Sequence, residues 1–122
     1  MGTALTIRVR RDRGYAFVAV AGEVDIATVT RLRESLFELA ASGRTVVVDL
    51  DQVSFIDSSG LAALVGAARR AAAHEASLQV VCTRPRTRQL FRLTGLDSQV
   101  PLARTLDGVL ESVAAARPAP AS

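Results

Sequence analysis

Asp57, Ser58, Ser59 and Gly60 put one carboxylate, two hydroxyls and a glycine at four consecutive positions. They lie between the apolar run "TVVVDL" and the Ala-rich stretch "GLAALVGAARRAAA". Nucleophilic catalysis is the first chemistry to weigh. The order departs from the G-x-S-x-G turn, because Ile56 stands where the first glycine would be. The single histidine, His74, is distant in sequence, and an Asp–Ser pair alone makes a weak nucleophile. A phosphate-cradling loop is also excluded: the chain has no lysine and no G-x-x-x-x-G-K-[ST] run. Two uses survive. Asp57 or Ser58 can cap a helix by accepting from an unpaired N–H of its first turn. Alternatively, an exposed hydroxyl there can take a phosphoryl group. That adds a charge of about −1.5 to −2, which the positive end of the helix dipole tolerates.

A second polar segment, "AGEVDIAT", carries Glu23 and Asp25 and follows another apolar run, "YAFVAV". In open α/β sheets, ligand sites form beyond the carboxyl ends of the strands. Both segments belong there, so Glu23 and Asp25 are expected to border the surface that holds Asp57 to Gly60.

The elements that must position these residues follow from periodicity. "ALTIRVR" alternates apolar and polar positions, and "YAFVAVAG" follows a short turn, which predicts a hairpin. Val29, Leu32, Leu36 and Leu39 recur at helical spacing, with Asp25 or Thr28 as the cap and Gly43 at the end. Val46, Val47 and Val48 show no alternation, as in a central strand covered on both faces. A helix over residues 59–75 follows, with an inward stripe of Leu61, Leu64, Val65 and Ala68. "SLQVVC" predicts another buried strand. Pro85 opens a shorter helix that Gly95 stops, and Phe91 belongs to its core side. A short strand is expected over 99–102, and a last helix capped by Thr105, with Leu106, Val109, Leu110 and Val113 inward. The expected fold class is α/β: a single domain over residues 1–116 with a mixed, mostly parallel sheet of four to five strands and about four flanking helices. Residues 117–122, "RPAPAS", are expected to form a flexible tail.

Composition narrows the function classes. At 122 residues and 49% apolar content, the chain holds one core. It shows neither a membrane-length apolar run nor a signal-peptide pattern, so a cytoplasmic location is expected. One cysteine, Cys82, and one histidine exclude an internal disulfide and argue against a structural zinc site. The net charge is +3, and every basic side chain is arginine. Arg84, Arg86, Arg88 and Arg92 crowd into "TRPRTRQLFR". This cluster is read as a solvated helix face; a nucleic-acid-binding module is the alternative and predicts steeply salt-dependent affinity.

"GEVDIATVTRL", "VVVDLDQVSFIDSSGLAALVGA" and "RQLFRLTGL" together resemble the STAS domain, in its form as a stand-alone bacterial anti-sigma factor antagonist. The resemblance spans nearly the whole chain, and its most specific part is the D-S-S-G-L junction. It implies that Ser58, the first hydroxyl after the motif aspartate, accepts a phosphoryl group. Asp57 would orient that hydroxyl or the incoming Mg–ATP, and Ser59 and Gly60 would let a partner approach closely. Glu23 and Asp25 would border the docking surface. The implied partners are an anti-sigma factor kinase of the GHKL type and a PP2C-type phosphatase, with neither direct nucleic-acid contact nor a membrane. ATP would belong to the kinase, so the resemblance implies no cofactor, metal or catalytic residue for this chain. A non-phosphorylated STAS subunit of a lipid-transport or other signalling complex is the competing member of the same family.

Overall fold

A computed structural model describes residues 5–116; the expected tail over 117–122 lies outside the described residues. A five-stranded sheet runs in the order β1-β2-β3-β4-β5. Strands β1 (Thr6–Asp12) and β2 (Tyr15–Val24) form the expected antiparallel hairpin. Strands β3 (Thr45–Ile56), β4 (Leu78–Val81) and β5 (Leu102–Ala103) add in parallel. The helices are α1 (Val29–Ala40), α2 (Ser58–Ala73), α3 (Pro85–Thr94) and α4 (Leu106–Ala116). Four helices on a five-stranded mixed sheet agree with the fold class drawn from the sequence.

The valine run of β3 is covered on both faces. Val46 and Val48 join the main core with Leu32 and Leu36 of α1, Leu64 of α2 and Phe91 of α3. Val47 points the other way, into a smaller cluster with Val81 and Val109 that takes in Leu106 and Val113 of α4. Each face removes apolar side chains from water, and this burial is the main favourable term in folding.

Several boundaries differ from the sequence expectation. Helix α2 starts at Ser58 and stops at Ala73; Glu75, at φ 59, adopts a left-handed backbone that cannot continue a helix. Its buried face is also wider than a single stripe. Ala63, Ala67 and Ala71 are buried, whereas Val65 and Ala68 are only partly so. The last strand is displaced to Leu102–Ala103, because a 3-10 turn over Leu96–Ser98 takes up the preceding chain. Gly95 closes α3 at φ 74, a conformation that glycine adopts without a Cβ penalty. Thr105 caps α4 as expected, accepting from the Gly108 N–H at 3.0 Å. The largest correction in the arginine cluster concerns Arg88. It does not belong to a fully solvated face: its Nη1 donates to the Cys82 carbonyl at 3.0 Å, and its Nε is buried without a partner.

Strand β3 is longer than the strand beside it for a specific reason. Twelve of its residues span ten of β2, with one extra β3 residue between Asp49 and Gln52 and another between Val53 and Phe55. At the first, the Asp49 carboxylate accepts from the Asp51 N–H at 2.9 Å and holds the extra residue in a local turn. The second falls just before the D-S-S-G junction. Bulges of this kind bend a strand and re-aim its side chains. Val53 and Ile56 therefore both face the core, although simple alternation would put them on opposite faces.

Candidate functional site

The two polar segments meet at the carboxyl ends of β2 and β3. Val24 pairs with Ile56, and the Asp57 N–H donates to the Val24 carbonyl at 3.1 Å. That bond ties "GEVD" to "DSSG" and makes one surface from two loops.

Asp57 is the N-cap of α2. Its Oδ1 accepts from the N–H groups of Ser59 at 2.9 Å and Gly60 at 3.2 Å, and from the Ser59 hydroxyl at 2.5 Å. The Ser59 hydroxyl, followed by the two backbone donors, stabilises the charged form and holds the carboxyl below its ordinary value of 3.8; partial desolvation opposes this. Ser59 is consequently committed to the cap. Ser58, the first helical residue, is exposed, and neither Asp57 nor another described side chain engages its hydroxyl. The two serines, equivalent by composition, thus have different environments.

Gly60 is buried at the start of α2. A Cβ built on it would lie 2.6 Å from both Ile56 Cγ1 and Val24 Cγ1. Its missing side chain lets the first turn of α2 sit on the ends of β2 and β3, so it sets the position of Ser58 from beneath.

In the other loop, the Asp25 carboxylate accepts from the N–H groups of Ala27 at 2.9 Å and Thr28 at 3.1 Å. Thr28 occupies the N-cap position of α1, yet its hydroxyl turns back, donating to the Glu23 carbonyl at 2.9 Å and accepting from the Asp25 N–H at 3.0 Å. Asp25 therefore shapes the loop. Glu23, half-buried, lies opposite Phe55 across the β2–β3 ladder.

Two apolar residues at this end escaped the sequence reading. Ile26 is 82% exposed at the tip of the first loop, and Phe55 is 51% exposed just before the junction. The sequence signal for Ile26 is an apolar residue outside any period, between Asp25 and Ala27. Phe55 carries no such signal, because alternation groups it with the buried Val53 until the bulge separates them. Among the described residues no group of three or more His, Cys, Asp or Glu side chains is arranged to hold a metal. No described helix is long and apolar enough to cross a membrane.

Residues 6–109 match the model of the STAS domain. The chain is 30% identical over 104 residues to the anti-sigma-B factor antagonist of Bacillus subtilis, covering 85% of this chain and 95% of that protein. It is 31% identical over 115 residues to an anti-sigma-F factor antagonist of Mycobacterium tuberculosis, covering 93% of each. The crystal structure of an anti-sigma factor antagonist from Mycobacterium paratuberculosis superposes with a TM-score of 0.82 at 33% identity, covering 91% of this chain and 95% of that one. The STAS model covers nearly all described residues, and relatives at 30–31% identity match along most of their length: this chain belongs to the STAS domain family.

Proposed function

We propose that this chain is an anti-sigma factor antagonist that works by partner switching, with Ser58 as its phosphorylated residue. In the unmodified state it binds an anti-sigma factor kinase of the GHKL type and so frees the sigma factor. That kinase transfers the γ-phosphoryl group of its ATP to the Ser58 hydroxyl, whose proton is lost as the new P–O bond forms. A PP2C-type phosphatase hydrolyses the ester and restores the antagonist. The chain itself acts by binding, in the cytoplasm, and needs no cofactor of its own.

The observation that carries this reading is the contrast between the two serines. Phosphoryl transfer needs a hydroxyl that can reach a donor in line. The Ser58 hydroxyl is exposed at the first position of α2, whereas that of Ser59 is bonded to Asp57 at 2.5 Å. A phosphate on Ser58 would lie at a helix N-terminus, where unpaired N–H groups and the dipole offset its charge. The fold should therefore survive modification. A docked acidic surface, or one already holding nucleotide phosphates, would be repelled. Glu23, Ile26 and Phe55 lie around the same end and would supply the polar and apolar parts of the docking surface.

The test is site mapping after incubation with the kinase and ATP. Tandem mass spectrometry should place the phosphate on Ser58, and Ser58→Ala should take up none. Phosphate on Ser59 alone, or on the Ser58→Ala protein, would refute the assignment.

A further inference from the structure

The sheet contains an open edge that its connectivity leaves inside the molecule's outline. Strand β4 pairs with β3 only over Val46–Asp49, whereas β2 pairs with β3 as far as Ile56. Beyond Asp49 the chain that follows β4 is drawn away. The Thr83 N–H donates to the Asp51 carboxylate at 2.6 Å, and Pro85 then begins α3. Residues 52–56 of β3 are consequently laddered on the β2 side alone, a stretch of about 16 Å at the usual strand rise. A groove of about 550 Å³ runs along this edge, with α3 as its far wall.

The groove has a definite chemical character. Val53 and Phe55 line it from the strand, and Leu90 and Leu93 from the helix. Phe55 is 51% and Leu93 77% exposed, so apolar surface remains open to solvent on both walls. Arg84 and Arg86 are its charged lining residues, and among the described residues no carboxylate lines it.

We infer that this groove binds an extended, acidic segment of a partner protein, which adds to the sheet as a strand alongside residues 52–56 of β3. An unpaired strand edge supplies backbone donors and acceptors, here on either side of the bulge between Val53 and Phe55, and alternate side chains of the added strand fill neighbouring pockets. Apolar residues of the segment would contact Phe55 and Leu93, and its carboxylates would meet Arg84 and Arg86. The charge argues against a second copy of this chain as the occupant. Of the two terminal edges, β5 is only Leu102–Ala103, too short to fill the groove, and β1 carries Arg8, Arg10 and Arg11, which would bring like charges to Arg84 and Arg86. The inference does not depend on phosphorylation of Ser58; Phe55 borders both surfaces, but the test reads strand pairing along residues 52–56 and contacts to Arg86 and Leu93, which the Ser58 reading does not use.

The probe is a blocked heptapeptide alternating Val and Glu, titrated into the full-length protein and followed by backbone amide NMR and hydrogen exchange. Saturable shifts should appear at the amides of Gln52 to Ile56, with slowed exchange on the edge facing α3. Of two peptides N-methylated on opposite edges, one should lose binding and the other retain it. Leu93→Ser and Arg86→Glu are surface changes that should each weaken binding about tenfold, as should replacing Glu by Lys in the peptide. Three results would overturn the inference: shifts centred elsewhere, binding indifferent to N-methylation, or peptide-free self-association through residues 52–56.

Discussion

Replacing Gly60 with alanine inserts one methyl group where β2, β3 and α2 converge. The new Cβ would lie 2.6 Å from Val24 Cγ1 and 2.6 Å from Ile56 Cγ1, well inside ordinary contact. Neither neighbour can simply swing aside. Val24 is fully buried and Ile56 nearly so, and both are β-branched with few χ1 choices. Overpacking of this kind costs about 1–3 kcal/mol. Alanine recovers up to about 1 kcal/mol through its better helix propensity. The net loss should be about 1–2 kcal/mol, which lowers the melting temperature by about 4–8 °C in a domain of this size. Thermal unfolding followed by circular dichroism measures it directly. The double variant Val24→Ala/Gly60→Ala supplies the internal control. Removing the Val24 γ-methyl groups clears half of the clash, so the cost of Gly60→Ala should shrink in that background, a non-additivity expected of touching residues. An unchanged or raised melting temperature for Gly60→Ala, or strict additivity with Val24→Ala, would refute the packing role given to Gly60.

Asp57→Asn should unfold with a shallower acid limb than the unmodified protein. The Asp57 carboxyl is held below its ordinary 3.8 in the folded state, so its contribution is present above that value and is lost as pH falls through the lower folded value. Melting curves between about pH 6 and pH 3 should therefore converge for the two proteins toward the acid end; a gap that widens on acidification would contradict this. Burial pushes the Cys82 thiol above its ordinary 9.0, so it should resist iodoacetamide at about pH 8 in the native state and react on unfolding. Rapid native labelling, read by mass, would show that the end of β4 opens more readily than its packing implies. Arg88→Ala should leave the Cys82 carbonyl without its side-chain donor and lower the melting temperature by a few degrees, whereas Arg86→Ala at an exposed position should not. Equal effects at the two positions would return Arg88 to a solvated role.

Residues whose neighbours are close in sequence were largely legible. The unbroken valines of β3 announced a doubly covered strand, and an Asp–Ser–Ser–Gly run before an Ala-rich helix announced a capped junction. The carboxyl ends of two parallel strands then brought Glu23 and Asp25 beside Asp57, as the α/β layout requires. Features set by distant neighbours were not legible. The packing that demands a glycine at position 60 comes from Ile56, four positions away, and equally from Val24, 36 positions away, which only the β2–β3 register brings into contact. Phe55 looked equivalent to Val53 until a bulge turned it outward. Arg88 looked like one more surface arginine, but the way α3 leaves β4 directs it at the Cys82 carbonyl. The distinction between Ser58 and Ser59 has both origins: family resemblance named Ser58, and the hydrogen bond from Ser59 to Asp57 gives a physical reason for the preference.

The central claim is that a phosphate on Ser58 changes partner affinity without disturbing the fold. The most direct measurement is calorimetric titration of the anti-sigma factor kinase with unmodified protein and with protein phosphorylated at Ser58 alone. The electrostatic account predicts binding weakened by tenfold or more on phosphorylation, roughly 1.4 kcal/mol or greater, with melting temperatures that stay close. Equal affinities for the two forms would contradict it.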